Sequence, residues 1–404
     1  MRAPAITRRR FVSGLGAAIA APAILRVSLT ALYAQDFGVK ADGQSNDLPA
    51  LRGMLAEAER KGRGTIELPA GRILLQPGGK GGGLLLPANV RLQGAGADKT
   101  TLFMADGAAG HVINAPFGYV QIVGLTVDGN EAKRPGTVGH NIRVNSDHIL
   151  IEHVRCLNSV SYGIAIGQKR YARDVTLRDV EIENAGADGI DVKNWLKRTE
   201  GIVIENVTVR GFGRPDPSLD PKLIGTSQDK RGAKAAVDLR GKCAVRGLTI
   251  IGILPHRDGL RFRFGEVGAD GSSASNVKVR GKKGQGGATA ISVGSADIRL
   301  EDIDIADTTY GIAVVAPNLT ITRGTIQGSA QAAILARAFR QSRPGPVVLQ
   351  SIAFKDEAKF TFQDIDSVRF DDCSFTDCRG HIRDALTHDT RIKLNECRFD
   401  TSCS

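Results

Sequence analysis

The stretch "VTLRDVEI", residues 175–182, puts apolar side chains at Val175, Leu177, Val180 and Ile182 and interrupts their alternation with the polar pair Arg178 and Asp179. Alternation of period two marks a strand with one buried face. A polar pair after which the alternation resumes marks a bend between two short strands. The same pattern recurs as "VRLQGAGA" (90–97), "VQIVGLTV" (120–127), "ILIEHVRC" (149–156), "IVIENVTV" (202–209), "AVRGLTI" (244–250), "VKVRGKKG" (277–284), "IRLEDIDI" (298–305), "LTITRGTI" (319–326), "VVLQSIAF" (347–354), "VRFDDCSF" (368–375) and "IKLNECRF" (392–399). Most copies lie 21 to 31 residues apart, a spacing typical of one solenoid coil.

A second strand falls between the copies: "HNIRVN" (140–145), "YGIAIG" (162–167), "DGIDVK" (188–193), "AAVDLR" (235–240), "DGLRFR" (258–263), "TAISVG" (289–294), "YGIAVV" (310–315) and "AAILAR" (332–337). Coils of two or three short strands, apolar side inward, predict an all-β right-handed parallel β-helix over residues 65–404. An antiparallel sandwich would need hairpin turns such as Asn-Gly, which are sparse here. The open end of a stack needs a cover, and "SNDLPALRGMLAEAERKG" (45–62) supplies a capping helix within a segment 35–64. Asn46 or Asp47 caps its start, Leu51, Leu55 and Ala58 form its apolar stripe, and Gly62 stops it.

The 404 residues, 42% apolar and 24% charged, exclude disorder. The net charge of +11 includes five arginines within residues 1–34, and without them it is +6. That balance suits an acidic partner, and no nucleic-acid-binding motif is present. Thr7-Arg8-Arg9-Arg10-Phe11-Val12 opens a basic, then small and apolar leader that reads as a twin-arginine export signal over residues 1–34. The expected destination is the periplasm or the medium, the expected first partner is the twin-arginine export machinery, and cleavage is placed after Ala34. No later segment is apolar enough to span a membrane.

The opening "DFGVKADGQSNDLPALRGMLAEAERKGRGTIELPAGRILL" (36–75) resembles that of pectate-lyase-like right-handed β-helix proteins, which include polygalacturonases, alginate epimerases and phage tailspike depolymerases. The resemblance implies an acidic polysaccharide as substrate, and leaves open a calcium cofactor held by aspartates and a homotrimer.

Stacking the second strands on their inward residues aligns an outward column of Arg143, Ala165, Asp191, Asp238, Arg261 and Ser292. Two positions on, the column reads Asn145, Gly167, Lys193, Arg240 and Arg263; two positions before, it reads His140, Tyr162, Asp188, Ala235 and Asp258. Charges thus gather on three consecutive coils. Asp191 and Asp238 are expected side by side, with Asp238 beside Arg261. Two close carboxylates resist ionising together. The cluster reads as an active centre, or else as a salt-bridge ladder on a solvated sheet.

The residues singled out as catalytic are Asp188, Asp191, Lys193, Asp238, Asp258 and Arg261, with Arg240, Arg263, Trp195 and Tyr162 touching substrate. Trp195 offers a flat face to a sugar, or partly buried packing. The insertion 211–233 reads as a cleft wall or as a surface excursion.

Hydrolases of the polygalacturonase type keep an Asn-Thr-Asp-Gly, an aspartate pair, a Gly-His-Gly and an Arg-Ile-Lys. Here Asp188-Gly189 and Asp191 lack the Asn-Thr, Asp238 stands alone, and Gly-His-Gly is missing; Arg391-Ile392-Lys393 falls inside a structural repeat. A lyase or epimerase, with Arg261 or Lys193 as base and the aspartates orienting it or holding calcium, is therefore favoured over an inverting hydrolase using Asp191 and Asp238. A non-enzymatic polysaccharide-binding or envelope β-helix is the remaining alternative.

The six cysteines are expected to be buried thiols, because side chains in register point in parallel and suit a disulfide poorly.

Overall fold

In the computed structural model, the described residues are 31–404 except 79–80, 135–138, 169, 215–233, 266–267, 283–285, 339–343, 358 and 404. Residues 1–30 of the expected export leader and most of the insertion lie outside them. Among the described residues the chain is almost entirely parallel β-structure: a parallel β-helix whose two sheets contain nineteen and eleven strands. Successive coils stack in step. Ile164 pairs with Ile190, Ile190 with Val237, Val237 with Leu260 and Leu260 with Ile291, all fully buried.

The bend in each repeat has a backbone cause. His153, Asp179, Asn206, Asn276, Asp302, Arg323, Ser351, Asp372 and Glu396 all adopt φ between 49° and 60°, and Gly247 takes φ 69° at the same place. Left-handed backbone is costly for most residues and least so for Gly, Asn and Asp, which explains the polar pair. One copy differs from its expected placement. The strand runs Ser273–Arg280 with its bend at Asn276, so "VKVRGKKG" covers only its second half. The inward residue before that bend is Ala274, too small to declare itself as core.

The expected capping helix is present as α1 (Leu48–Arg60), burying Leu48, Leu51, Met54, Leu55 and Ala58. Asn46 Oδ1 accepts the Leu48 N–H at 3.2 Å, whereas the Asp47 carboxylate turns back to accept the Lys40 and Ala41 amides. Gly62, at φ 72°, closes the helix. Ala31–Tyr33 pairs in parallel with Gly64–Glu67, and Ala34 is fully buried, so residues 31–34 are part of the stack.

The cysteine expectation needs correction. Cys378 and Cys403 form a disulfide between the last coils, with Cα atoms 4.9 Å apart. Both lie beyond the regular strands, so neither side chain is bound to the parallel direction of the sheet. Cys156, Cys243 and Cys373 are buried free thiols, and Cys397 is a half-buried one.

Candidate active site

The three coils that carry the charged cluster do bring it together. Ala165 pairs with Asp191, Asp191 with Asp238, and Asp238 with Arg261, each on the outward face of the eleven-stranded sheet. Oxygens of Asp188, Asp191 and Asp238 all lie within 4.8 Å of one another. Gly189 permits this closeness, because a Cβ there would meet the Ala236 carbonyl oxygen at 2.6 Å.

Outward on the sheet does not mean exposed. Asp191 and Asp238 are 0% exposed and Asp188 is 4% exposed. They form a floor beneath cations. Asp191 accepts from Lys193 Nζ at 2.9 Å, from an Arg240 Nη at 3.0 Å and from Gln168 Nε2 at 2.9 Å. Asp238 Oδ2 faces Arg263 Nε at 3.1 Å, Arg240 at 3.5 Å and Arg261 at 3.6 Å. Asp238 Oδ1 is buried without a hydrogen-bond partner. The cations are less covered: the side chains of Lys193 and Arg263 are 30% and 38% exposed.

Protonation follows from this crowding. Burial, and then the Asp191 and Asp238 charges, push the Asp188 carboxyl up to about 7, although the Ala235 N–H donates to it at 2.7 Å. Burial holds the Lys234 ammonium below its usual range. Burial and then the Asp191 and Asp188 charges raise the Tyr162 phenol, so its hydroxyl keeps its proton. For Arg261, burial pulls the pKa down, but the Asp258 and Asp238 charges outweigh it and the net shift is upward. Its Nε donates to Asp258 at 2.6 Å. These charges hold Arg261 in its cationic form.

Tyr162 stands at the edge of the cluster. The ammonium groups of Lys193 and Lys234 lie 5.7 and 5.9 Å from its ring centroid, and His140 stacks on it at 4.8 Å. Trp195 is 51% exposed in a short turn just after the Asp191 strand, open to solvent rather than packed. Lys234 and Gln168 escaped the sequence reading. Lys234 immediately precedes the strand Ala235–Leu239 and Gln168 follows the strand Ile164–Ile166, so neither falls in an alternating column.

The donor set does not fit calcium. Such an ion takes six to eight oxygens. Here both Asp191 oxygens and Asp238 Oδ2 are already engaged by Lys193, Arg240, Arg261 and Arg263, Asp188 Oδ1 accepts the Ala235 N–H, and the surrounding cations would repel a divalent ion.

No protein-family model matches the chain. The chain is 27% identical over 202 residues to alginate lyase 7 of Azotobacter vinelandii, which is 45% of this chain and 22% of the relative. It is 30% identical over 204 residues to the mannuronan C5-epimerase AlgE6 of the same organism, 48% of this chain and 21% of the relative. The fold is shared more widely. The A-module of the Azotobacter vinelandii mannuronan C-5 epimerase AlgE6 superposes with a TM-score of 0.62 at 16% identity, covering 91% of this chain and 99% of that one. The catalytic unit of a GH87 α-1,3-glucanase from Streptomyces thermodiastaticus superposes with a TM-score of 0.55 at 14% identity, covering 94% and 72%. The chain therefore spans about a fifth of the length of these curated relatives and shares a β-helix fold with these modules.

Proposed function

We propose that the chain is an exported enzyme acting on an acidic polysaccharide, and that it removes the proton next to a uronate carboxylate as a lyase or an epimerase. The observation that carries this reading is the layering of the site. Partly exposed Lys193 and Arg263, with Arg240 between them, are held from below by buried Asp191 and Asp238, beside a carboxyl that titrates near neutrality. The similarity to an alginate lyase and a mannuronan epimerase supports the same substrate class.

The chemistry follows from the charges. A uronate carboxylate bound by Lys193, Arg240 and Arg263 is neutralised, which makes the adjacent C–H more acidic. Lys234, with its lowered pKa, or Asp188, near 7, accepts the proton. In a lyase the C–H electron pair forms a C=C bond, the glycosidic C–O bond breaks, and the neutral Tyr162 hydroxyl protonates the leaving oxygen. In an epimerase a proton returns to the same carbon from the opposite face and the chain stays whole. Asp258 and Arg261 hold the floor, and Trp195 offers a stacking face for a sugar ring.

A hydrolase using Asp191 and Asp238 is less well supported. An inverting pair stands roughly 6.5–9.5 Å apart to admit water, whereas these carboxylate oxygens lie within 4.8 Å and are buried. The full pairing of Asp191 also suits a polysaccharide-binding protein without catalysis.

Incubation of the exported protein with a panel of polyuronates, with and without calcium, separates these readings. Ultraviolet absorbance of an unsaturated product means lyase. An altered C5 configuration by NMR without shortening means epimerase. New reducing ends alone mean hydrolase, and an unchanged panel leaves the binding role.

A further inference from the structure

The outward column does not stop at the acidic centre. Going toward the N-terminus it runs from Asp191 through Ala165 and Arg143 to Asn114 and Leu85, each in register with the next. Beside it runs a stacked row of rings: His111 on His140 at 4.6 Å and His140 on Tyr162 at 4.8 Å. The row begins at a cavity of about 630 Å³ beneath α1, lined among others by Arg52, Leu55, Glu59, His111, Asn114 and Phe117. That volume suits a small ligand.

The hydrogen bonds along this row are incomplete in a way that points to a ligand. The His140 backbone N–H donates to His111 Nδ1 at 3.1 Å, and the Tyr162 backbone N–H to His140 Nδ1 at 3.4 Å. Accepting at Nδ1 leaves a neutral imidazole with its proton on Nε2. Burial, foremost, keeps both rings neutral, His111 down to about 4 and His140 well below its usual value. An Arg143 Nη lies 3.5 Å from His111 Nε2, so two donors face each other with no acceptor between them. Arg143 forms no ion pair among the described residues; its other contact is the Gln168 carbonyl oxygen at 3.4 Å. Asn114 Oδ1, one coil away, is buried without a donor.

We propose that Arg143 and His111 bind a sugar carboxylate N-terminal to the acidic centre, and that the chain of an acidic oligosaccharide continues past Asn114 into the cavity beneath α1. This deepens the proposed lyase or epimerase function and rests on it. Arg143 and the His111 Nε2–H supply the donors that an anion completes, and Asn114 Oδ1 accepts a sugar hydroxyl. Phe117, 46% exposed, offers an apolar face to the last ring. Three rung steps separate Asn114 from Asp191, about 14 Å at ~4.8 Å per step. At roughly one ring per step, about two pyranose units stand between the reacting sugar and the ring beside Asn114 at the cavity mouth.

Calorimetric titration of the folded full chain with oligomannuronates from dimer to hexamer, and with a neutral glucan oligomer of equal length, tests this. Affinity is expected to rise with length until the cavity is filled, and the neutral oligomer is expected to bind weakly. Arg143→Ala is expected to lower hexamer affinity about tenfold or more, as for a lost charge-assisted contact. It should leave dimer binding unchanged, and on polymer it should raise KM while kcat stays within about twofold. Arg143→Lys should recover part of the loss. Equal weakening of dimer and hexamer, or an unchanged hexamer affinity, overturns the subsite while the catalytic reading stands. Absence of any oligomer binding together with absence of turnover overturns both.

Discussion

Asp191 stands directly beside Asp238 on the neighbouring rung, and neither carboxylate reaches solvent. Burying two acids at adjacent positions is tolerated because Lys193, Arg240, Arg261 and Arg263 surround them. The pair works as an anchor for cations.

Removing one anchor should be felt in both stability and activity. Asp191→Ala leaves Lys193 and Arg240 without this partner and should destabilise by about 3–5 kcal/mol, as for a broken buried pair. Asp191→Asn keeps the shape and should cost less stability, while still lowering turnover sharply. Thermal melting and initial rates on polyuronate check this. A variant with full turnover would place the chemistry elsewhere.

The pH dependence has a definite sign. Asp188 sits at about 7 in the folded chain against 3.8 for the free group, so folding favours its protonated form. The stabilisation is complete below about pH 4 and is lost as pH rises through 7. Wild type should therefore lose stability relative to Asp188→Asn between those values, because the amide never ionises. Denaturant midpoints at pH 4 and pH 8 measure it, and a constant difference between the two proteins would contradict it.

The disulfide closes a loop with a sequence separation of 25. Chain-entropy arguments give such a loop about 3 kcal/mol. Cys403→Ser, or reduction, should lower the melting temperature while leaving turnover on polyuronate intact, because the bond ties the last coils and the acidic centre lies in the middle ones. Alkylation before and after reduction should reveal two additional reactive thiols. Loss of activity in parallel with reduction would point to a longer-range role.

The N-terminal strand bears on processing. Ala31–Tyr33 pairs with Gly64–Glu67, and Ala34 is fully buried. Cleavage after Ala34 would strip that strand, so the exported form is proposed to begin at or before Ala31. N-terminal sequencing of exported protein decides it. A variant beginning at Gln35 is expected to melt at a lower temperature.

Much of the site is legible in the sequence for a physical reason. In a stack of coils, alternation tells which side chains face out, and the repeat tells which rungs are neighbours, so spacing alone places Asp191, Asp238 and Arg261 together. Features that alternation does not encode stay hidden. Lys234 and Gln168 lie at strand ends, where direction is set by the corner and not by the pleat. Depth is hidden too: an outward position reads as exposed, yet long neighbouring side chains cover Asp191 and Asp238 entirely. The disulfide escapes because Cys378 and Cys403 leave the register on which the objection to one is based.

In-step stacking also makes this molecule a ruler. Duplicating one coil between Asn114 and Arg143 would move the cavity beneath α1 away from the acidic centre by about 4.8 Å. On the proposed binding mode the acidic centre would be untouched, while the groove would lengthen by about one sugar. Gene duplication of a single repeat is thus a simple route by which a stacked protein could alter the length of chain it engages.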